Sequence, residues 1–183
     1  MNNKGKKLSV IVPVYNEAPH LRKIIQFLMG APCPVEREWI FVNDCSTDNS
    51  DQILKELQAQ YNFQYLTQSH NQGKGAAITR GIQASSGDWI MIQDADFEYT
   101  PLDVPNLLVP LINDEADVVY GSRFKRSGSQ IHRTYHFFIN RILTSLSNLM
   151  SGIYLTDMET CYKIFKADLL KIMNLQSKRF GIE

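Results

Sequence analysis

Leu8-Ser9-Val10-Ile11-Val12-Pro13-Val14-Tyr15-Asn16-Glu17 opens the chain with an apolar, β-branched run that breaks at once into a polar turn. No small-residue cleavage site follows the run, so it reads as a first β-strand and not as the core of a signal peptide. The turn matters as much as the strand. It puts a hydrogen-bonding and acidic pair, Asn16 and Glu17, at the carboxyl end of a segment that is otherwise buried.

Outward from this stretch the same grammar repeats. Apolar runs alternate with helical patterns: a helix over Leu21–Met29, a strand over Trp39–Val42, a helix over Gln52–Tyr61, a strand over Phe63–Thr67 and a helix over Gly75–Ala84. A strand over Trp89–Gln93, a helix over Pro101–Ile112 and a strand over Asp117–Tyr120 continue it. Short continuous strands separated by helices predict a mostly parallel central sheet covered on both faces. Such sheets bind ligands where the loops leave the carboxyl ends of the strands. The polar signals fall there: Asn16-Glu17, Asp44, and Asp94 with Asp96.

With 183 residues, 44% of them hydrophobic and 21% charged, the chain suits one α/β domain over residues 1–183. Lys and Arg together number 19, as do Asp and Glu, so no global basic field draws the chain to nucleic acid. Cys33, Cys45 and Cys161 are odd in number and lack metal-binding spacing, which fits a reducing cytoplasm. His70, His132 and His136 form no ligand set. From Phe137 to Leu155 the only formal charge is Arg141, yet Asn140, Thr144, Ser145, Ser147, Asn148 and Ser151 make the stretch too polar to span a membrane. An amphipathic helix over 131–155 is expected, able at most to lie on a membrane surface. Phe138, Ile142, Leu146, Leu149 and Ile153 form one stripe, suited to core or lipid; Arg141, Ser145 and Asn148 form another, suited to solvent or a phosphate.

Gln93-Asp94-Ala95-Asp96-Phe97-Glu98 sets carboxylates at alternate positions past a buried strand. It reads either as oxygen ligands for a hard divalent cation or as an acidic capping turn. Asp44 is likewise a hydrogen-bond acceptor for a ligand or an N-cap for the next helix. Gly73-Lys74-Gly75 lacks the spacing of a P-loop and of a dinucleotide fingerprint.

These segments occur in order, each at a strand end: Ile11–Glu17, Val42–Asp48 (Val-Asn-Asp-Cys-Ser-Thr-Asp), Asn71–Gly75 (Asn-Gln-Gly-Lys-Gly) and Asp94–Asp96. Together they resemble the nucleotide-binding half of the inverting family 2 glycosyltransferases, which have a single GT-A, Rossmann-like domain. Gly121-Ser122-Arg123-Phe124 and Thr156-Asp157-Met158-Glu159-Thr160-Cys161-Tyr162-Lys163 narrow the resemblance to the polyprenyl-phosphate group, such as dolichol-phosphate mannose synthase and bacterial glucosyl relatives. The resemblance implies a nucleotide-sugar half at about 8–98 and an acceptor half at about 99–183. It also implies that relatives continue beyond Glu183, so that a truncated chain would bind donor without turnover.

Residue by residue, the resemblance makes Pro13, Tyr15, Glu17 and Asp44 the nucleoside pocket, with Gly73 and Lys74 bordering the donor. A carboxylate accepts from the ring N–H of uracil or guanine, which adenine lacks, so a UDP- or GDP-sugar is expected. Asp94, Asp96 and Glu98 stand as ligands for Mg2+ or Mn2+, with Asp96 also catalytic through the leaving diphosphate. Arg123, Arg141 and Ser145 stand where the lipid phosphate is held, and Asp157, with Glu159 as a second carboxylate, at the reaction centre or in a capping turn. A phosphate monoester has a second pKa of about 6 and needs little deprotonation, so Asp157 orients a polyprenyl phosphate or serves as general base for a hydroxyl acceptor. The family usually has Asp and Gly where this chain has Asn43 and Cys45. A sugar nucleotidyltransferase would instead carry a glycine-rich basic loop in place of Tyr15-Asn16-Glu17.

Overall fold

The computed structural model of the protein describes residues 5–97, 99–122, 134–158, 160, 162–173 and 175. The first apolar run forms β1 (Lys7–Val14), and helix α1 (Ala18–Gly30) follows it. β2 (Glu36–Asn43), α2 (Ser50–Gln60), β3 (Gln64–Thr67), α3 (Lys74–Ala84) and β4 (Trp89–Ile92) continue the alternation. A 3-10 turn at Pro101–Asp103 leads into α4 (Val104–Ile112), β5 (Val118–Tyr120), α5 (Thr134–Ser151), β6 (Lys163–Lys166) and α6 (Ala167–Ile172).

One six-stranded sheet runs in the order β3-β2-β1-β4-β6-β5. β1 pairs in parallel with β2 on one side and with β4 on the other, and β3 adds in parallel outside β2. β6 alone runs against its neighbours, β4 and β5. The strand pattern of the sequence stops at Tyr120, and it misses β6 because Lys163-Ile164-Phe165-Lys166 is short and bracketed by lysines. Both its central residues and Lys163 nevertheless go inside or partly inside.

Alternation along the strands sorts the core into two layers. Leu8, Val10, Val12 and Val14 of β1 pack with Leu21, Ile25 and Leu28 of α1, Leu54 and Leu57 of α2, and Leu108 of α4. Ile11, Ile40, Val42 and Ile90 point the other way, onto Ala77, Ile78 and Ile82 of α3 and Leu170 of α6. Both faces are therefore covered, which is why the strands read as near-continuous apolar runs.

Among the described residues, helix α5 contributes to neither layer. Its amphipathic character is as expected, but it ends at Ser151: Gly152 adopts φ +70 and donates its N–H to Asn148 O at 3.0 Å, a left-handed stop that glycine takes without a Cβ penalty. Ile153 thus falls beyond the helix and not on its stripe. Residues 131–133 lie outside the described residues, as does the side chain of Phe138. The rest of the stripe is not core: Ile142 is 66% exposed and Leu149 82%. Among the described residues no helix is long and apolar enough to cross a membrane.

This difference between the two kinds of leucine is measurable. Leu54→Ala, at a fully buried site, should lower the unfolding free energy by about 2–5 kcal/mol. Leu149→Ala should change it by no more than about 0.5 kcal/mol. Urea denaturation of the two variants checks both values, and a large loss for Leu149→Ala would put α5 back into the core.

Candidate functional site

The sheet order reverses beside β1: the chain moves outward through β2 and β3, then returns to place β4 on the opposite side. Loops leaving the carboxyl ends of β1 and β4 therefore diverge and open a crevice. The crevice is a cleft of about 620 Å³, within the range of about 300–1,000 Å³ typical of small-molecule sites. Pro13, Tyr15 and Glu17 line it from β1, Asp44 from β2, Gly73 and Lys74 from the start of α3, and Asp94 and Asp96 from the end of β4. The structure thus brings together all the residues that the resemblance assigns to the donor, apart from Glu98, which lies outside the described residues. Val14, Asn71, Ala77 and Ala95 complete the wall. Of these, Asn71 was legible as part of the Asn-Gln-Gly-Lys-Gly segment, whereas the small apolar residues gave no signal.

Side chains stitch the first two loops together. Asn16, at φ 57, accepts from Thr47 N at 2.8 Å, and its own N–H donates to Ser46 Oγ at 3.1 Å. Glu17 N donates to Ser50 Oγ at 2.9 Å, and Ala18 N to Asp48 Oδ2 at 3.0 Å. Asn16 suits its left-handed conformation better than Cys45, also at φ 57, because Asn is among the few residues other than glycine that visit it routinely.

Asp44 is not the helix cap that its position allows. The cap position belongs to Asn49, whose side chain makes no capping bond, while Asp48 just before it accepts Ser50 N at 2.9 Å. Asp44 is buried and faces the other way: Oδ1 accepts from Gln68 Nε2 and Gln72 N, each at 2.8 Å, and Oδ2 from Gly73 N at 2.7 Å. It clamps the loop between β3 and α3 to the end of β2. Asn43 also acquires a role: its Oδ1 accepts from Ser46 N at 3.0 Å and Ser46 Oγ at 2.7 Å, and its Nδ2 donates to Tyr65 OH at 3.1 Å.

Lys74 is ion-paired with Asp94 at 2.8 Å across the cleft floor, both side chains about four-fifths buried, so it is engaged by a carboxylate of the same site. The remaining acidity is crowded. Burial, then the charge of Asp96, with lesser effects of Asp48 and Asp94, pushes the Glu17 carboxyl above its usual range, while His20 pulls it down. Among the described residues no three His, Cys, Asp or Glu side chains gather closely enough to hold an ion unaided. The donor set nonetheless fits a hard divalent cation, since Mg2+ commonly takes one or two carboxylates and completes its shell with waters and substrate phosphates. A cation here would also relieve the repulsion from Asp96 that adds to burial in raising Glu17.

A second cavity of about 250 Å³ lies beside α5, lined by Arg141, Thr144, Ser145, Asn148, Tyr154, Leu155 and Thr156. Arg141 and Ser145 meet there as their spacing suggested, but Asn148 is spent on the backbone. It donates to Leu155 O at 2.8 Å and accepts from Leu155 N at 2.9 Å, folding the chain back along the helix. Thr144, buried and unforeseen, accepts Met158 N at 3.2 Å and so ties α5 to the segment carrying Asp157. Asp157 itself is 1% exposed and lines neither cavity. Lys163 is buried, donates to Thr160 O, and lies 5.3 Å from the ring of Tyr120. Arg123, Glu159, Cys161 and His132 lie outside the described residues.

With this geometry in place, comparison with known proteins is decisive for the family. The model of the family described as glycosyl transferase family 2 matches residues 9–172. The chain belongs to family 2 of the glycosyltransferases. It is 30% identical over 172 residues to an uncharacterised protein of Methanocaldococcus jannaschii, covering 89% of this chain and 73% of that one. It is 30% identical over 122 residues to the dolichol-phosphate mannosyltransferase of Pyrococcus furiosus (67% of this chain, 34% of that one). To the undecaprenyl-phosphate 4-deoxy-4-formamido-L-arabinose transferase of Proteus mirabilis it is 30% identical over 155 residues (82% and 47%). The family 2 chain thus spans under half the length of these two named enzymes.

Among solved structures, glucosyl-3-phosphoglycerate synthase from Mycobacterium tuberculosis with Mn2+, UDP and glucosyl-3-phosphoglycerate superposes with a TM-score of 0.66 at 21% identity, over 91% of this chain and 58% of that one. A mannosyltransferase of Pyrobaculum calidifontis with GDP-Man and Mn2+ gives 0.64 at 19% identity, over 93% and 47%. These likenesses establish the GT-A fold of the family 2 chain.

The Asp44 clamp generates a prediction that needs no ligand. Asp44→Ala removes the acceptor of two backbone N–H groups, and because hydrogen bonds to a charged group are involved, it should cost about 1.5–3 kcal/mol. Hydrogen exchange at the Gln72 and Gly73 amides should quicken well before exchange in β1 does. Unchanged protection of those two amides would show that Asp44 does not hold the loop.

Proposed function

We propose that this family 2 glycosyltransferase takes a hexose from a UDP- or GDP-sugar bound in the large cleft and transfers it, with inversion, to a polyprenyl phosphate. The observation that carries the reading is the convergence of Pro13, Tyr15, Glu17, Asp44, Gly73, Lys74, Asp94 and Asp96 on one cleft at the reversal of the sheet. Tyr15, 45% exposed at the cleft, offers a face for the base. Asp44 has acceptor capacity left beyond its three internal bonds, enough for one ring N–H of uracil or guanine.

Asp94 and Asp96, with Glu98 as the expected third, would hold Mg2+ or Mn2+; two structural neighbours contain Mn2+. Such a cation supplies Lewis-acid neutralisation of the charge that builds on the departing diphosphate. Lys74 holds Asp94 in place and faces the same diphosphate. The acceptor oxygen attacks the anomeric carbon from the face opposite the nucleotide, and a phosphate acceptor is already ionised enough to do so without a strong base.

On the acceptor side, Arg141 and Ser145 at the small cavity would grip a phosphate, with Arg123 as a further expected contact. The names of the Pyrococcus and Proteus relatives point to lipid-phosphate acceptors. The exposed apolar face of α5 suits contact with a lipid surface and supports a peripheral position for this cytoplasmic enzyme at the membrane. Asp157, tied to α5 through Met158 and Thr144, would orient the acceptor or the sugar.

Calorimetry with UDP and GDP, with and without Mn2+, tests the donor side. One nucleotide should bind with metal-enhanced affinity, and Asp96→Ala should lose most of that enhancement. Equal affinity with and without metal in both proteins would overturn the metal assignment.

The acceptor is tested by following radiolabelled sugar from the nucleotide into an organic-extractable, acid-labile product when polyprenyl phosphate is supplied. Arg141→Ala should abolish transfer and leave donor affinity unchanged. Transfer only to a water-soluble hydroxyl acceptor would move the protein to the polysaccharide-building branch and make Asp157 the general base.

A further inference from the structure

Tyr162 is buried to 1% exposure, and it touches two segments far from it in sequence, residues 93–99 and Gly121. Its hydroxyl donates to Gln93 Oε1 at 2.8 Å, and Gln93 in turn donates from Nε2 to the carbonyl of Asp94 at 2.9 Å. Its ring packs against Tyr99, with centroids 4.7 Å apart. Gln93 and Tyr99 bracket the loop that bears Asp94 and Asp96. Its carbonyl accepts Gly121 N at 2.7 Å, and a Cβ on Gly121 would come within 3.0 Å of Tyr162 Cβ, so only glycine permits this approach without a shift.

A loop between β4 and the 3-10 turn has no regular structure of its own to fix it. Gln93 is also buried, and its N–H donates to Ile11 O at 2.9 Å, which registers it on β1. The tyrosine hydroxyl and ring therefore hold both ends of the Asp94–Asp96 loop from behind, while the tyrosine backbone ties the segment after Asp157 to the strand end after β5.

We infer that Tyr162 is a positioning residue: through Gln93 and Tyr99 it fixes the Asp94–Asp96 loop in the geometry that binds the metal and nucleotide diphosphate. It touches no ligand. It also couples the loop on the donor side to the Asp157 segment on the other, so that a displacement of either is felt by its partner. This inference rests on the reading of the large cleft as a nucleotide-sugar site.

The chemistry separates the hydroxyl from the ring. Tyr162→Phe keeps the stacking on Tyr99 and the fit against Gly121 but leaves Gln93 Oε1 buried without its donor, which frees the Gln93 side chain to reorient. Gln93→Met removes the other partner of the same bond, as well as the bond to Asp94 O. If both act through one element, their effects will not add.

The experiment is calorimetry of the wild type, Tyr162→Phe, Gln93→Met and the double variant, with UDP and GDP in Mn2+ and with uridine and guanosine alone. A mild core variant remote from the loop, Ile53→Val, shows what loss of stability alone does. Expected are a fivefold or greater loss of metal-dependent nucleotide affinity in Tyr162→Phe and in Gln93→Met, no further loss in the double variant, and nucleoside affinity unchanged throughout. Should Tyr162→Phe fail to fold, Gln93→Met alone decides. Wild-type affinity in the single variants, or a loss no greater than in Ile53→Val, overturns the positioning role while leaving the nucleotide site intact. A wild type that binds neither UDP nor GDP overturns the reading of the cleft, and the inference with it.

Discussion

Strand β1 is paired in parallel on both sides, over its whole length with β2 and over Leu8–Ile11 with β4. Parallel pairing brings the carboxyl ends of β1 to β4 to the same edge, and the reversal of strand order at β1 keeps the loops there from closing over one another. The cleft is a consequence of that constraint before any particular side chain is considered. What the side chains add is rigidity at the edge. Asn16, Ser46, Asp48 and Ser50 weld the loops after β1 and β2 together, and Asp44 welds the loop after β3 to both.

This arrangement explains why polar residues that look functional in the sequence are also structural. Asp44 sits inside the protein with three donors aimed at it, so its carboxylate is held in one orientation whether or not a ligand is present. Charge-assisted bonds of this kind are short and directional, which is what an acceptor meant to read a single N–H requires. Asn148 shows the opposite outcome: placed by its spacing beside Arg141 and Ser145, it is consumed by the backbone of Leu155.

Much of this was legible in the sequence, for identifiable reasons. Strands β1, β2 and β4 announce themselves because both faces are buried, the half-exposed β3 and β5 by short apolar, β-branched or aromatic runs, and the cleft residues because polar groups at strand ends have few other reasons to interrupt apolar runs. β6 was not legible, since a buried Lys163 contradicts the usual fate of lysine and its partners, Thr160 O and the Tyr120 ring, come from the fold. Nor was the pairing of Lys74 with Asp94, which lie 20 positions apart in sequence and meet only when α3 packs across β1. Periodicity located the apolar stripe of α5 but could not say whether it faces core or solvent, because that depends on where the helix docks.

The charge balance of the cleft carries the argument one step further. Glu17, Asp94 and Asp96 stand in one cavity with Lys74, and Lys74 is already matched with Asp94. Glu17 and Asp96 add further negative charge to the same wall, and the Glu17 carboxyl is raised first by burial and next by the charge of Asp96. At an effective dielectric constant of about 20, like charges about 4 Å apart repel by about 4 kcal/mol, so a diphosphate entering on its own would meet a wall of its own sign. A divalent cation reverses the sign of that term for the carboxylates and the diphosphate at once. On the proposed reading, then, the acidic wall is not an obstacle to an anionic donor but the reason that donor and cation would enter together.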